Sequence, residues 1–264
     1  MTLRAGRATI GAVSRQGDHV FEREWSDFGP LVLAYVDILG WSDLLCSPRT
    51  IETADKINSA IFELMRAREL AADRDETLAD DRCKHGKTVR ASFFSDTMIV
   101  TCKPDLYEAG WLVSDVQRMC WFLLSEGLYT RGAIVVGDLH HEVGGALLGR
   151  ALIEAYKIER DVAKYPRLIV TPDVEPLLVG PRVRPTSDFG APLVRIDPAD
   201  GRTYLDVFGD LSSTALRELK SVVEKDIAAA EKSGTAEALY HREKYVWMRA
   251  YLERAIAELA PPSS

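Results

Sequence analysis

The stretch LVLAYVDILGWS, residues 31 to 42, decides the fold of this chain. Its first half is a nearly continuous apolar run, the pattern of a strand buried on both faces. Asp37 interrupts that run, and Gly40 then lets the chain turn into a helix. A second acid sits in ASFFSDTMIV, residues 91 to 100, where two strand-like runs are joined so closely that Ser95-Asp96 must be a hairpin turn. If these strands are neighbours in one sheet, Asp37 and Asp96 come side by side. Two such carboxylates suit Mg²⁺ or Mn²⁺ over a triphosphate.

The surrounding pattern supplies that sheet. A strand is expected over 31 to 37, a helix over 50 to 72, strands over 88 to 94 and 97 to 102, a helix from Asp105 to Ser125 and a strand over 130 to 137. The order strand, helix, hairpin, helix, strand predicts an α+β fold with a ferredoxin-like β-α-β-β-α-β core. Beyond it, the glycines at 144 and 145 lead to a helix over 150 to 160, and strands are expected at 167 to 171, 193 to 196 and 204 to 208. The last fifty residues read as helical, with a break near Ser233-Gly234. We divide the chain into an N-terminal extension (1–30), a main domain (31–210) and a C-terminal helical segment packed on it (211–264). The charge-dense segment 73 to 87 reads as a solvated loop or helix end.

Composition narrows the function classes. A hydrophobic content of 47% over 264 residues supplies a full core, and a net charge of -7 argues against nucleic acid or an anionic membrane as partner. Cys46, Cys83, Cys102 and Cys120 show neither zinc spacing nor a disulfide framework. There is no signal-peptide h-region and no apolar run of spanning length, so a cytoplasmic protein without membrane insertion is expected.

The residues around both acids resemble a known family. Asp37-Ile38-Leu39-Gly40-Trp41-Ser42 is similar to the D-I-x-G-[FW]-[ST] turn of class III nucleotidyl cyclases, and Phe94-Ser95-Asp96-Thr97 to their second metal-binding hairpin. Arg131-Gly132-Ala133 and the run GRALIEAYKIE, residues 149 to 159, resemble the Pycsar pyrimidine cyclases of bacterial anti-phage defence. Tyr165-Pro166-Arg167 and Lys244-Tyr245-Val246-Trp247 look like the same branch.

The resemblance implies two ions, Mg²⁺ or Mn²⁺, held by Asp37 and Asp96 with the Ile38 carbonyl as a further ligand. It implies substrate contacts from Leu39, Gly40, Trp41, Ser42, Ser92 and Arg131. Catalytic cations would be Lys157 or Arg150, contributed across a homodimer interface by the helix over 150 to 160. Where purine cyclases carry a base-reading lysine and aspartate, this chain has Ser92 and Ala146, so a pyrimidine triphosphate, UTP first and CTP second, is the implied substrate. The implied product is the 3′,5′-cyclic monophosphate, read by a separate effector. Purine cyclases also use an asparagine and an arginine where Ile153 and Lys157 stand here. A purine cyclase with unusual selectors and an inactive cyclase-like nucleotide-binding domain are the competing readings.

A lone turn aspartate is more often a cap than a ligand, a strand arginine such as Arg131 more often a buried ion-pair partner, and Arg150 and Lys157 suit a solvated helix face equally well. The pair His140-His141 reads as structural, because adjacent strand residues point to opposite faces.

Overall fold

The computed structural model describes residues 28–48, 50–77, 88–178, 193–209 and 211–259. The chain opens with β1 (Gly29–Leu39), α1 (Trp41–Cys46) and α2 (Ile51–Thr77), followed by β2 (Arg90–Phe94), β3 (Thr97–Cys102), α3 (Leu106–Ser125) and β4 (Tyr129–His141). A short β5 (Leu147–Gly149), α4 (Arg150–Asp161), β6 (Leu168–Val170), α5 (Glu175–Leu178), β7 (Val194–Ile196) and β8 (Thr203–Leu205) come next. Two long helices, α6 (Ser213–Ser233) and α7 (Ala236–Glu258), complete the described chain.

The strands form one sheet in the order β2-β3-β1-β4-β6-β8-β7, with β5 paired to β4. The first four strands of that order are mutually antiparallel, which is the ferredoxin-like arrangement expected from the sequence. β1 is central because it is apolar on both faces: Val32, Leu33, Ala34 and Val36 are fully buried. One face carries the large core, where α3, α6 and α7 bring Leu112, Leu123, Val223 and Tyr251 against Val36, Val100 and Ile134. The other face carries α4, whose Ala151 and Ala155 pack on Leu33, Tyr35 and Val135. Outer residues of this helix, Ile153 and Tyr156, are exposed.

Several boundaries differ from the sequence reading. β4 extends to His141, because its C-terminal end pairs with β5 in a hairpin around Gly144 that the glycine-rich composition masked. β8 stops at Leu205 rather than continuing to 208, since Asp206 turns the chain by accepting the Phe208 amide on its own carboxylate at 3.1 Å. The helix expected to end near 72 continues to Thr77, while 78 to 87, including Cys83, lie outside the described residues, as does most of the 1–30 extension.

Blocks far apart in sequence meet at one structural cluster. Arg167 is fully buried and forms ion pairs with Asp197 and Asp200. Trp247 of α7 donates its indole N–H to Asp197 at 2.9 Å and stacks on Tyr165 at 5.8 Å. Both carboxylates thereby share the charge of a guanidinium that burial would otherwise leave uncompensated. This fastens α7 to the sheet, and α7 in turn reaches the candidate site.

Candidate active site

β1 and β3 are hydrogen-bonded neighbours, with Asp37 opposite Thr97, so the hairpin turn that follows β2 lies against the end of β1. The Ile38 amide donates to the Asp96 carbonyl at 2.9 Å, which locks that turn beside Asp37. Ser95, just before Asp96, has a φ of 54°, a left-handed conformation that a serine adopts at a cost of about 1 kcal/mol. After β1, Gly40 at φ 75° turns the chain into α1.

These elements wall a cleft of about 310 Å³. It is lined by Asp37, Ile38, Leu39, Gly40, Trp41, Ser42, Asp43, Asp96 and Arg131 from the sheet end, and by Tyr240, His241 and Lys244 from α7. Of the residues the sequence singled out, Asp37, Ile38, Leu39, Gly40, Trp41, Ser42, Asp96 and Arg131 are therefore together.

Arg131 lies directly across the β1–β4 pair from Asp37 and donates from Nε to Asp37 Oδ2 at 3.1 Å. Its Nη2 meets Glu159 Oε1 of α4 at 2.5 Å. The arginine is thus both a partly buried ion-pair partner and a lining residue of the cleft. Burial raises the pKa of the Asp37 carboxyl; the Arg131 hydrogen bond and charge oppose this, and the negative charge of Asp96 adds to it. Glu159 is raised for the same first reason, burial, with Arg131 again opposing. A dication would relieve the desolvation of Asp37 and its repulsion from Asp96 together, so the donor set fits a hard, oxygen-seeking metal.

Ser92, Arg150 and Lys157 do not line this cleft. Ser92 lies on β2 and shares a hydrogen bond of 2.8 Å with His141 Nε2, while His141 Nδ1 pairs with Thr101 at 2.8 Å. Both ring nitrogens of His141 are therefore satisfied, and burial lowers its pKa to about 4, so it is a neutral structural histidine as the strand geometry suggested. Arg150 and Lys157 stand on the exposed side of α4, away from their own sheet.

The contribution of α7 was missed by the sequence reading. Lys244 is only 7% exposed and falls in phase with Met248, Tyr251 and Ala255, the buried stripe of that helix. A lysine at an apolar-stripe position was the available signal. A larger cavity of about 450 Å³ adjoins the cleft beneath α6 and α7 and shares Leu39, Gly40, Asp43, His241 and Lys244 with it. At its edge, ligand atoms of Asp43, Glu237 and His241 lie within 4.8 Å of one another, and the two acids are exposed.

No family model and no curated protein matches the chain. Among solved structures, the adenylyl cyclase CyaB from P. aeruginosa aligns at a TM-score of 0.43 and 14% identity, over 67% of this chain and 92% of that one. The guanylyl cyclase Cya2 aligns at 0.43 and 12%, over 69% and 93%. A class III adenylyl cyclase-like ATP-binding protein from Pseudomonas aeruginosa aligns at 0.33 and 14%, over 87% and 44%.

Proposed function

We propose that the chain is a nucleotide cyclase that converts a pyrimidine nucleoside triphosphate, UTP before CTP, to the 3′,5′-cyclic monophosphate and pyrophosphate. The observation that carries this reading is the convergence of Asp37 and Asp96, from two strands joined only through the fold, on one cleft that also holds cationic side chains. In this reading residues 31–210 form the cyclase domain and 211–264 a helical segment that completes it. Mg²⁺ or Mn²⁺ bound by Asp37, Asp96 and the Ile38 carbonyl would lower the pKa of the ribose 3′-hydroxyl and neutralise charge on the phosphates.

The chain's own residues do the remaining work. Arg131 would stay anchored by Glu159 and turn its freed Nε toward a phosphate oxygen once a metal engages Asp37. Leu39, Gly40, Trp41 and Ser42 form the wall along which a triphosphate would lie. Trp41, 4% exposed, anchors that wall in the core. Ser92 stands where purine cyclases carry a base-reading lysine; its small hydroxyl, shared with His141, would give a purine no such partner. A working setting in the cytoplasm and a separate effector for the product belong to the same proposal.

Incubation with each of ATP, GTP, CTP and UTP plus Mn²⁺ tests the reading. Cyclic UMP or cyclic CMP is expected to form faster than either purine product. A purine triphosphate that outpaces both would refute the base preference and leave a purine cyclase; binding without turnover would identify a nucleotide-binding domain.

The reading also makes the active site a shared one. Lys157 and Arg150 are exposed on α4 and do not line their own cleft, so in this reading they would serve the cleft of a second copy packed on that helix. After verified subunit exchange, inactive Asp37→Ala and inactive Lys157→Ala homodimers should regain up to about half of the wild-type rate per mixed dimer, since one site then carries neither defect. The same cross with Arg150→Ala covers the case in which Lys157→Ala keeps its activity. No regained activity would place the catalytic cation in the same chain as the aspartates.

A further inference from the structure

We propose that Lys244 is the side chain that binds the outer phosphates of the substrate, so that the C-terminal helix α7 supplies part of the substrate site; this rests on the cyclase reading above. Four observations converge on it. Lys244 lines the Asp37–Asp96 cleft although it comes from a helix outside the ferredoxin-like core. It is 7% exposed, and a lysine so buried ordinarily carries a carboxylate partner. Among the described residues it forms no ion pair; its ammonium instead sits over the ring of Tyr240, 4.3 Å from the centroid. Arg131, the neighbouring cation of the cleft, is by contrast already held by Asp37 and Glu159.

An ammonium over an aromatic face recovers part of its lost hydration, less than a charged hydrogen bond would. Burial accordingly lowers the pKa of Lys244, the positive charge of Arg131 lowers it further, and only the charge of Asp37 opposes them. An incoming anion would remove this imbalance. The anion must also tolerate Asp37 and Asp96 close by, which excludes a monocarboxylate and favours a group with several charges that arrives with a dication: a polyphosphate. Lysine suits this role as a point charge on a flexible stem that can follow the phosphates.

The fastening of α7 gives the arrangement its stiffness. Three residues after Lys244, Trp247 is bound to Asp197 and stacked on Tyr165, and Tyr251 donates to Asp206 at 2.6 Å. The ammonium is thus carried on a helix whose rotation is set by buried contacts. Such positioning is what a phosphate ligand requires.

Calorimetric titration with inorganic tripolyphosphate and Mg²⁺, using the full chain, tests the proposal. Lys244→Met keeps the stem volume and removes the charge; Lys244→Gln is a second neutral variant should the first not fold. Binding is expected to weaken by about 10- to 100-fold in either, and Lys244→Arg should recover most of it. Pyrophosphate should lose potency as a product inhibitor, and the KM for the triphosphate should rise more than kcat falls. Neutral variants that bind tripolyphosphate as tightly as the wild type would overturn the proposal, as would a wild type that does not bind it. Tripolyphosphate has neither base nor ribose, so the outcomes separate. Lys244-dependent binding in a protein that makes no cyclic product would defeat the cyclase reading alone, and a cyclase indifferent to Lys244→Met would defeat this inference alone.

Discussion

Replacing Asp37 or Asp96 by alanine is expected to lower cyclisation by at least about 10³-fold while leaving a folded protein. The two acids line one cleft, and each would supply a carboxylate to the same pair of cations. Retention of the fold follows from the local energetics. Burial already works against the charge on Asp37, so removing that carboxylate relieves a desolvation cost at the same time as it removes an ion pair. Arg131, the partner left behind, is a quarter exposed at its side chain and keeps Glu159. Asp96 contributes to the fold through its backbone carbonyl, which accepts from Ile38 and survives truncation of the side chain. Thermal melts within a few degrees of the wild type, together with loss of product, are the expected pair of results. Cyclisation at near wild-type rate by either variant would sink the assignment of these residues to metal.

The largest effect on stability is expected from Gly132→Ala. Gly132 lies opposite Val36 in the β1–β4 pair, one residue after Arg131. A Cβ there would stand 1.8 Å from the Tyr35 carbonyl oxygen and 2.9 Å from its carbon. Both are backbone atoms of the central strand, so no side-chain rotation relieves the overlap, and β1 and β4 must separate. Forced overpacking ordinarily costs about 1–3 kcal/mol, and a clash between two central strands belongs at or above the top of that range. For a chain of this size that corresponds to a melting temperature lower by roughly 10 °C, or to insoluble protein. Separation of the strands would also pull Arg131 from Asp37, so activity should fall with stability. A Gly132→Ala protein that melts with the wild type would show that the β1–β4 pairing is looser than this packing requires.

Several features were legible in the amino-acid sequence because they depend on neighbours along the chain. The apolar run before Asp37 reads as a buried strand, the two-residue gap at Ser95-Asp96 as a tight turn, and Asp105 caps α3 by accepting the amides of Tyr107 and Glu108. The turn between β7 and β8 is equally local: Gly201 donates to the Asp197 carbonyl at 2.8 Å. The order of these elements then implied the ferredoxin-like sheet, and with it the approach of Asp37 to Asp96. Two elements escaped this reading: β5 adjoins the glycine-rich loop at 144 and 145, which masks it, and α5 has four residues, too few for a helical period to show.

Tertiary structure alone decided which charges meet. Arg131 is 94 residues from Asp37, and nothing local to either residue specifies that the same guanidinium also reaches Glu159 on α4. Lys244 illustrates the point most sharply: its place on a helix follows from the sequence, whereas its place in the cleft follows from how α7 is fastened to Asp197 and Asp206. Local pattern is set by φ/ψ preference and by the period of burial, both of which act over a few residues. The meeting of charges depends on strand order and helix rotation, which are settled only when the whole core packs.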